Sequence, residues 1–139
     1  MIARALIVAA TFVIGAASAL AQPAAPNPVT VAPAFRQTIP NIPGKSVVAV
    51  VVSYAPGAKS AAHHHANSAF ISAYVLSGAV RSQVDDEPAK VYRAGESWFE
   101  QPGAHHKISE NASATEPAQL LAIFVVDTDE KVLTTPDQK

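Results

Sequence analysis

All five histidines of this 139-residue chain fall in two clusters, His63-His64-His65 and His105-His106. Neutral imidazole is a common ligand for Zn, Fe, Ni and Cu. His63 and His65 are two residues apart, so on an extended strand their side chains share one face while His64 points to the other. That pair is a bidentate clamp for a metal ion. A lone histidine is better read as a solvated loop residue or a hydrogen-bonded core residue. Here each cluster follows a Pro-Gly pair, Pro56-Gly57 or Pro102-Gly103, where the chain enters a strand, and the clustering favours ligation.

Competing chemistry is missing from the sequence. There is no Gly-x-Ser-x-Gly nucleophile turn, no phosphate-cradling glycine loop and no HExxH helix. The chain has no cysteine, which excludes disulfide staples and thiolate-built zinc sites. A metal must therefore be held by imidazole, carboxylate, amide or carbonyl groups.

Short strands are the elements that position these histidines. From Ser46 the sequence runs in segments rich in Val, Ile, Tyr and Phe, separated by Gly, Pro and acidic turns, as in an all-β domain. Strands are expected at 46–54, 61–65, 70–76, 80–85, 89–92, 96–100, 107–109 and 119–126, with a hairpin turn at Asp85-Asp86-Glu87-Pro88. The runs Val47 to Val52 and Leu120 to Val126 are apolar on both faces, which calls for two covered sheets or a closed barrel. A jelly roll manages the exposed edges of so many short strands.

The N-terminus reads as a secretory signal over residues 1–21: charged Met1 and Arg4, an apolar run from Ala5 to about Ala17, and Ala19-Leu20-Ala21 as cleavage site. The run is shorter than the roughly 20 residues a spanning helix needs, so no membrane span is expected after cleavage, and the product is periplasmic or secreted. Residues 22–43 hold six of the eleven prolines and read as a lead-in whose segment Val29 to Phe35 can add an edge strand or reach a second subunit. Residues 44–139 form the domain. Removing Arg4 leaves nine basic residues against eleven acidic ones, a formal charge of −2 with no basic run, so nucleic acid is not an expected partner.

The histidine spacing resembles the cupin superfamily, particularly its small single-domain Cupin_2 and quercetin-dioxygenase-like members. The first motif of that family is Gly, five residues, His-x-His, three or four residues, Glu, six residues, Gly. Gly57, His63, His65 and Gly78 fall on it, but the glutamate positions hold Ala69, Phe70 or Ile71. The second motif is matched by Gly95, Gly103 and His106. Gln101 stands where Pro is usual, and Asn111 comes one residue late. The resemblance covers most of the chain from Pro43 to Pro136.

The resemblance implies a single double-stranded β-helix, the jelly-roll cupin barrel, holding one divalent ion (Fe, Mn, Zn or Ni) through His63, His65 and His106. Glu100 and Gln83 are candidates for an added ligand, and His105 for the mouth or a supporting hydrogen bond. Phe70, Tyr74 and Trp98 are expected to line the pocket. Without the motif glutamate, three neutral imidazoles leave the ion's charge uncompensated, which favours an anionic small-molecule ligand. The implied activity is a dioxygenase-like oxidoreductase acting on a small anionic or phenolic compound. A non-catalytic, metal-anchored binding or sensing module and a metal-dependent isomerase or lyase stand beside it. A homodimer through sheet edges is the expected assembly.

Overall fold

A computed structural model describes residues 29–138 of the chain. The expected signal, 1–21, lies outside the described residues. Ten strands follow in order: β1 (Val29–Thr38), β2 (Lys45–Tyr54), β3 (His63–His65), β4 (Phe70–Ser77), β5 (Ala79–Val84), β6 (Lys90–Arg93), β7 (Ser97–Glu100), β8 (His105–Asn111), β9 (Ala118–Asp127) and β10 (Thr134–Pro136). They form two five-stranded antiparallel sheets, ordered β1-β2-β9-β4-β7 and β10-β3-β8-β5-β6. Among the described residues no helix is long and apolar enough to cross a membrane.

The core forms where inward-facing alternate residues of the two sheets meet. Leu120, Ala122, Phe124 and Val126 of β9 lie beside Ile71, Ala73 and Val75 of β4 and Trp98 of β7 on the inner face of one sheet, and Val80 of β5 joins the same core from the other. β2 and β9 pair along their whole lengths, from Lys45↔Asp127 to Tyr54↔Ala118, as their continuous β-branched and aliphatic runs dictate. The Pro-rich lead-in is less separate than its composition suggests, because β1 pairs with β2 from Val29↔Tyr54 to Thr38↔Ser46. Pro33 lies at the register shift of this edge strand, where a missing N–H is tolerated.

Two elements escape simple pattern reading. β10 is a three-residue strand paired to β3, too short for a periodicity signal. β8 begins at His105, two residues before its expected start, and its register against β5 shifts between Gln83↔Ile108 and Val84↔His106. The extra residue there, Lys107, is a bulge that lets His106 and Ser109 both face inward despite their odd spacing. The hairpin turn at Asp85 forms as expected, with Asp85 at φ 49° and its Oδ1 accepting the His105 N–H at 2.9 Å.

Candidate metal centre

β3 and β8 are neighbours, and their register pairs His63 with His106 and His64 with His105. Alternation then places His63, His65 and His106 inside the barrel and His64 and His105 outside. One ring nitrogen from each of the three inner histidines lies within 4.8 Å of the other two.

Two of the three inner imidazoles, those of His63 and His106, are oriented by hydrogen-bond partners. His63 Nδ1 is 2.9 Å from the Ala61 carbonyl oxygen; a carbonyl only accepts, so Nδ1 carries the proton and Nε2 keeps its lone pair. His106 Nε2 is 2.9 Å from the Ser82 hydroxyl, and its Nδ1 is 3.4 Å from Glu100 Oε1. Burial lowers the pKa of His63 and brings that of His106 to about 4. Both rings are therefore neutral at pH 7, as a ligand must be.

Glu100 enters from β7. It is only 2 % exposed, and the Trp98 indole N–H donates to its Oε1 at 3.0 Å. Burial pushes its carboxyl up, but the facing His65 and His106 imidazoles and the Trp98 hydrogen bond outweigh this and hold it below the ordinary value. Its Oε2 lies 2.9 Å from His65 Nε2 without hydrogen-bond alignment. Both atoms, with His65 Nδ1, are buried polar atoms lacking a partner. Buried polar atoms without an aligned partner are costly and call for one. A cation is such a partner, and imidazole nitrogens beside a carboxylate oxygen suit a divalent first-row metal.

The site opens on a cavity of about 360 Å³ walled by apolar side chains, among them Val50, Val52, Ile71, Leu120, Phe124 and Trp98. The Tyr54 hydroxyl, hydrogen-bonded to Ser109 at 2.7 Å, lies in the same wall. Burial raises the phenol's pKa, so it stays protonated. Tyr54, Ser82 and Ser109 escaped the sequence reading. Ser82 carried one signal, a polar residue at an inward position beside Val80, and Ser109 became visible only with the bulge at Lys107.

The other expected site residues fall elsewhere. Gln83 alternates outward, where its Nε2 donates to the Glu87 carbonyl at 3.1 Å, so it is not near the centre. Phe70 and Tyr74 are 39 % and 43 % exposed on the outer face of β4, where Phe70 stacks on Phe99 with centroids 5.9 Å apart. Ile71 and Ala73 occupy the inner face instead. His105 neither lines the mouth nor supports the inner set; it stacks on His64 outside the barrel. Asn111 is a structural pin, donating to the Ala55 and Glu116 carbonyls. This buried, fully used amide does not suit the glycosylation that its Asn-x-Ser context allows.

Two five-stranded antiparallel sheets enclosing a histidine-lined cavity define a jelly-roll barrel with a candidate metal site. The chain belongs to the cupin family: the family model described as "Cupin domain" matches residues 50–124. None of the curated proteins is significantly similar to it. Among solved structures, it resembles the cupin domain of Schizosaccharomyces pombe Cnp3 (19 % identity, TM-score 0.58), covering 72 % of this chain and 62 % of that one. An oxalate oxidase in complex with the substrate analogue glycolate gives 22 % identity and TM-score 0.59 over 78 % of this chain and 56 % of that one. A protein from Thermus thermophilus gives 25 % identity and TM-score 0.57 over 74 % of this chain and 90 % of that one. The chain thus spans less than two thirds of the length of the first two.

Proposed function

We propose that this is an exported cupin that holds one divalent ion through His63, His65 and His106, with Glu100 as fourth donor. It acts as a dioxygenase-like oxidoreductase on a small anionic or phenolic compound. The carrying observation is the set of buried donor atoms on His65 and Glu100 that no aligned hydrogen bond satisfies, at one end of an apolar cavity. A bound Fe or Mn ion supplies redox chemistry there, and Zn or Ni supplies Lewis acidity.

The residues of the chain divide the remaining work. Ser82 and Trp98 hold His106 and Glu100 in place. The apolar wall excludes water and selects a flat or compact organic body. Among the described residues no Lys or Arg lines the cavity, so the negative charge of a ligand must be met at the metal. Glu100 offsets one of the ion's two charges, leaving room for a monoanion; the sequence alone left both uncompensated. Tyr54 donates a hydrogen bond to a ligand oxygen.

The isomerase or lyase reading rests on a separate observation: among the described residues Tyr54 is the one titratable group lining the cavity besides His63, His65, His106 and Glu100, and so the candidate to donate a proton there. Elemental analysis of untagged protein should find one metal per chain, lost in His63→Ala/His65→Ala. Protein reloaded anaerobically with Fe(II) and then aerated should consume oxygen with a member of a panel of phenols, keto acids, oxalate and glycolate. No uptake, together with a ligand that raises Tm and is recovered unchanged, would establish the binding-module alternative.

A further inference from the structure

The register that gathers His63 and His106 inside the barrel also gathers His64 and His105 on the reverse of the same two strands. Their rings stack with centroids 4.1 Å apart and planes at 13°. The C-terminal strand brings a third group to this face. β10 pairs with β3 through Thr135↔His64, and the next residue but one, Asp137, is anchored by its N–H donating to the Ala62 carbonyl at 3.0 Å. Asp137 Oδ2 accepts a hydrogen bond from His105 Nε2–H at 2.9 Å, a proton that a bound ion would replace, and its Oδ1 is 4.0 Å from His64 Nε2.

We propose that His64, His105 and Asp137 form a second divalent-metal site on the outer face of the barrel, whose ion fastens the C-terminal strand. Two imidazole nitrogens and one carboxylate oxygen, all within 4.8 Å of one another, make a donor set suited to zinc and its borderline neighbours. Donors about 2.0–2.2 Å from a tetrahedral ion lie about 3.4 Å apart, and the separations of 2.9 Å from Oδ2 to His105 and 4.0 Å from Oδ1 to His64, one for each carboxylate oxygen, fall on either side of that spacing. The three side chains are partly exposed, at 56 %, 26 % and 39 %, so the rings can tilt and water can complete the coordination.

The site has a structural consequence for the cavity. Leu133, Thr134 and Pro136 form part of the inner cavity wall, and Asp137 ends that segment. An ion joining Asp137 to β3 and β8 holds this wall shut from outside. The strand has only three paired residues of its own, so the added tie is a large share of what keeps it docked. The two sites lie back to back across one sheet, fed by consecutive histidines.

The test is a Zn²⁺ titration of the full chain, without a histidine tag, against a chromophoric chelator, with hydrogen exchange read over residues 133–137. Two zinc ions per chain are expected. His64→Ala/His105→Ala should lose one and keep the other, while His63→Ala/His65→Ala should lose only the inner one. In that inner-site variant, Zn²⁺ should still slow exchange at the Asp137 amide. A single ion in the wild type that His64→Ala/His105→Ala removes would support the outer site even if the inner reading failed. Unchanged stoichiometry in His64→Ala/His105→Ala would overturn the proposal. So would a second zinc kept with equal affinity by Asp137→Asn, or unaltered exchange at Asp137.

Discussion

Ile71 and Glu100 are direct cross-strand partners of β4 and β7, and both side chains line the cavity. Counting back from Gly78, the first-motif glutamate of the cupin family belongs at Ile71. This chain thus carries its buried carboxylate one strand over from that place, on the same inner face. The antiparallel register makes the two positions neighbours, with Cβ atoms of such a pair about 5 Å apart.

That relation makes Glu100 testable as a donor. Glu100→Gln keeps the shape and the Trp98 hydrogen bond but removes the charge, and should weaken metal binding by about tenfold or more. In a Glu100→Ala background, Ile71→Glu should restore part of the lost affinity. Chelator competition reads both, and equal affinity in all variants would leave Glu100 no role at the metal.

Metal binding should be visible as stability. At an ion concentration 100-fold above Kd the folded state gains about 2.7 kcal/mol. His63→Ala and His106→Ala should each remove the share of the rise in Tm that comes from the inner ion, leaving only what the outer ion supplies. In protein given a single equivalent of ion, His64→Ala should keep the inner share, because His64 projects from the other face of β3. Equal loss in all three would show that the register of β3 is misassigned.

The metal-free protein should weaken in mild acid. His106 has a pKa of about 4 when folded, set first by burial, against an ordinary value of 6.5. Below pH 6.5 the unfolded chain takes up a proton that the folded one refuses, so the penalty grows as pH falls and saturates near pH 4. Glu100 adds in the same direction, since its lowered carboxyl pKa favours the fold only while ionised. Urea denaturation should show a loss of about 2 kcal/mol between pH 7 and pH 5 from His106. His106→Gln should flatten this slope.

Gly78 joins β4 to β5 at φ +70°, and a Cβ there would lie 2.5 Å from the Pro117 carbonyl oxygen. Gly78→Ala therefore meets both the left-handed conformation and the backbone of the loop before β9. A cost of about 1–3 kcal/mol is expected, read as a lower urea midpoint with unchanged slope.

Tyr54→Phe should cost about 1 kcal/mol by leaving the buried Ser109 hydroxyl without its partner. If Tyr54 also meets the ligand, the same variant should lower ligand affinity more than the smaller change made by Ser109→Ala. Isothermal titration distinguishes the two.

Local chemistry made much of this protein legible in its sequence. Strand alternation shows that His63 and His65 share a face and His64 does not, and the Pro-Gly turns and β-branched runs announce an all-β barrel. The spacing of Gly57, His63, His65, Gly95, Gly103 and His106 carries the family. These are properties of neighbours along the chain. Pairing between distant strands decided the rest: Glu100 meets His65 because β4 and β7 align, His106 and Ser109 both face inward because β8 is bulged at Lys107, and Asp137 reaches His105 because a three-residue strand docks beside β3. Phe70, Tyr74 and Gln83 alternate correctly but on the opposite phase, since a period of two marks two faces without saying which one meets the core. Only the packed sheets, which bury one face of each strand, make that choice.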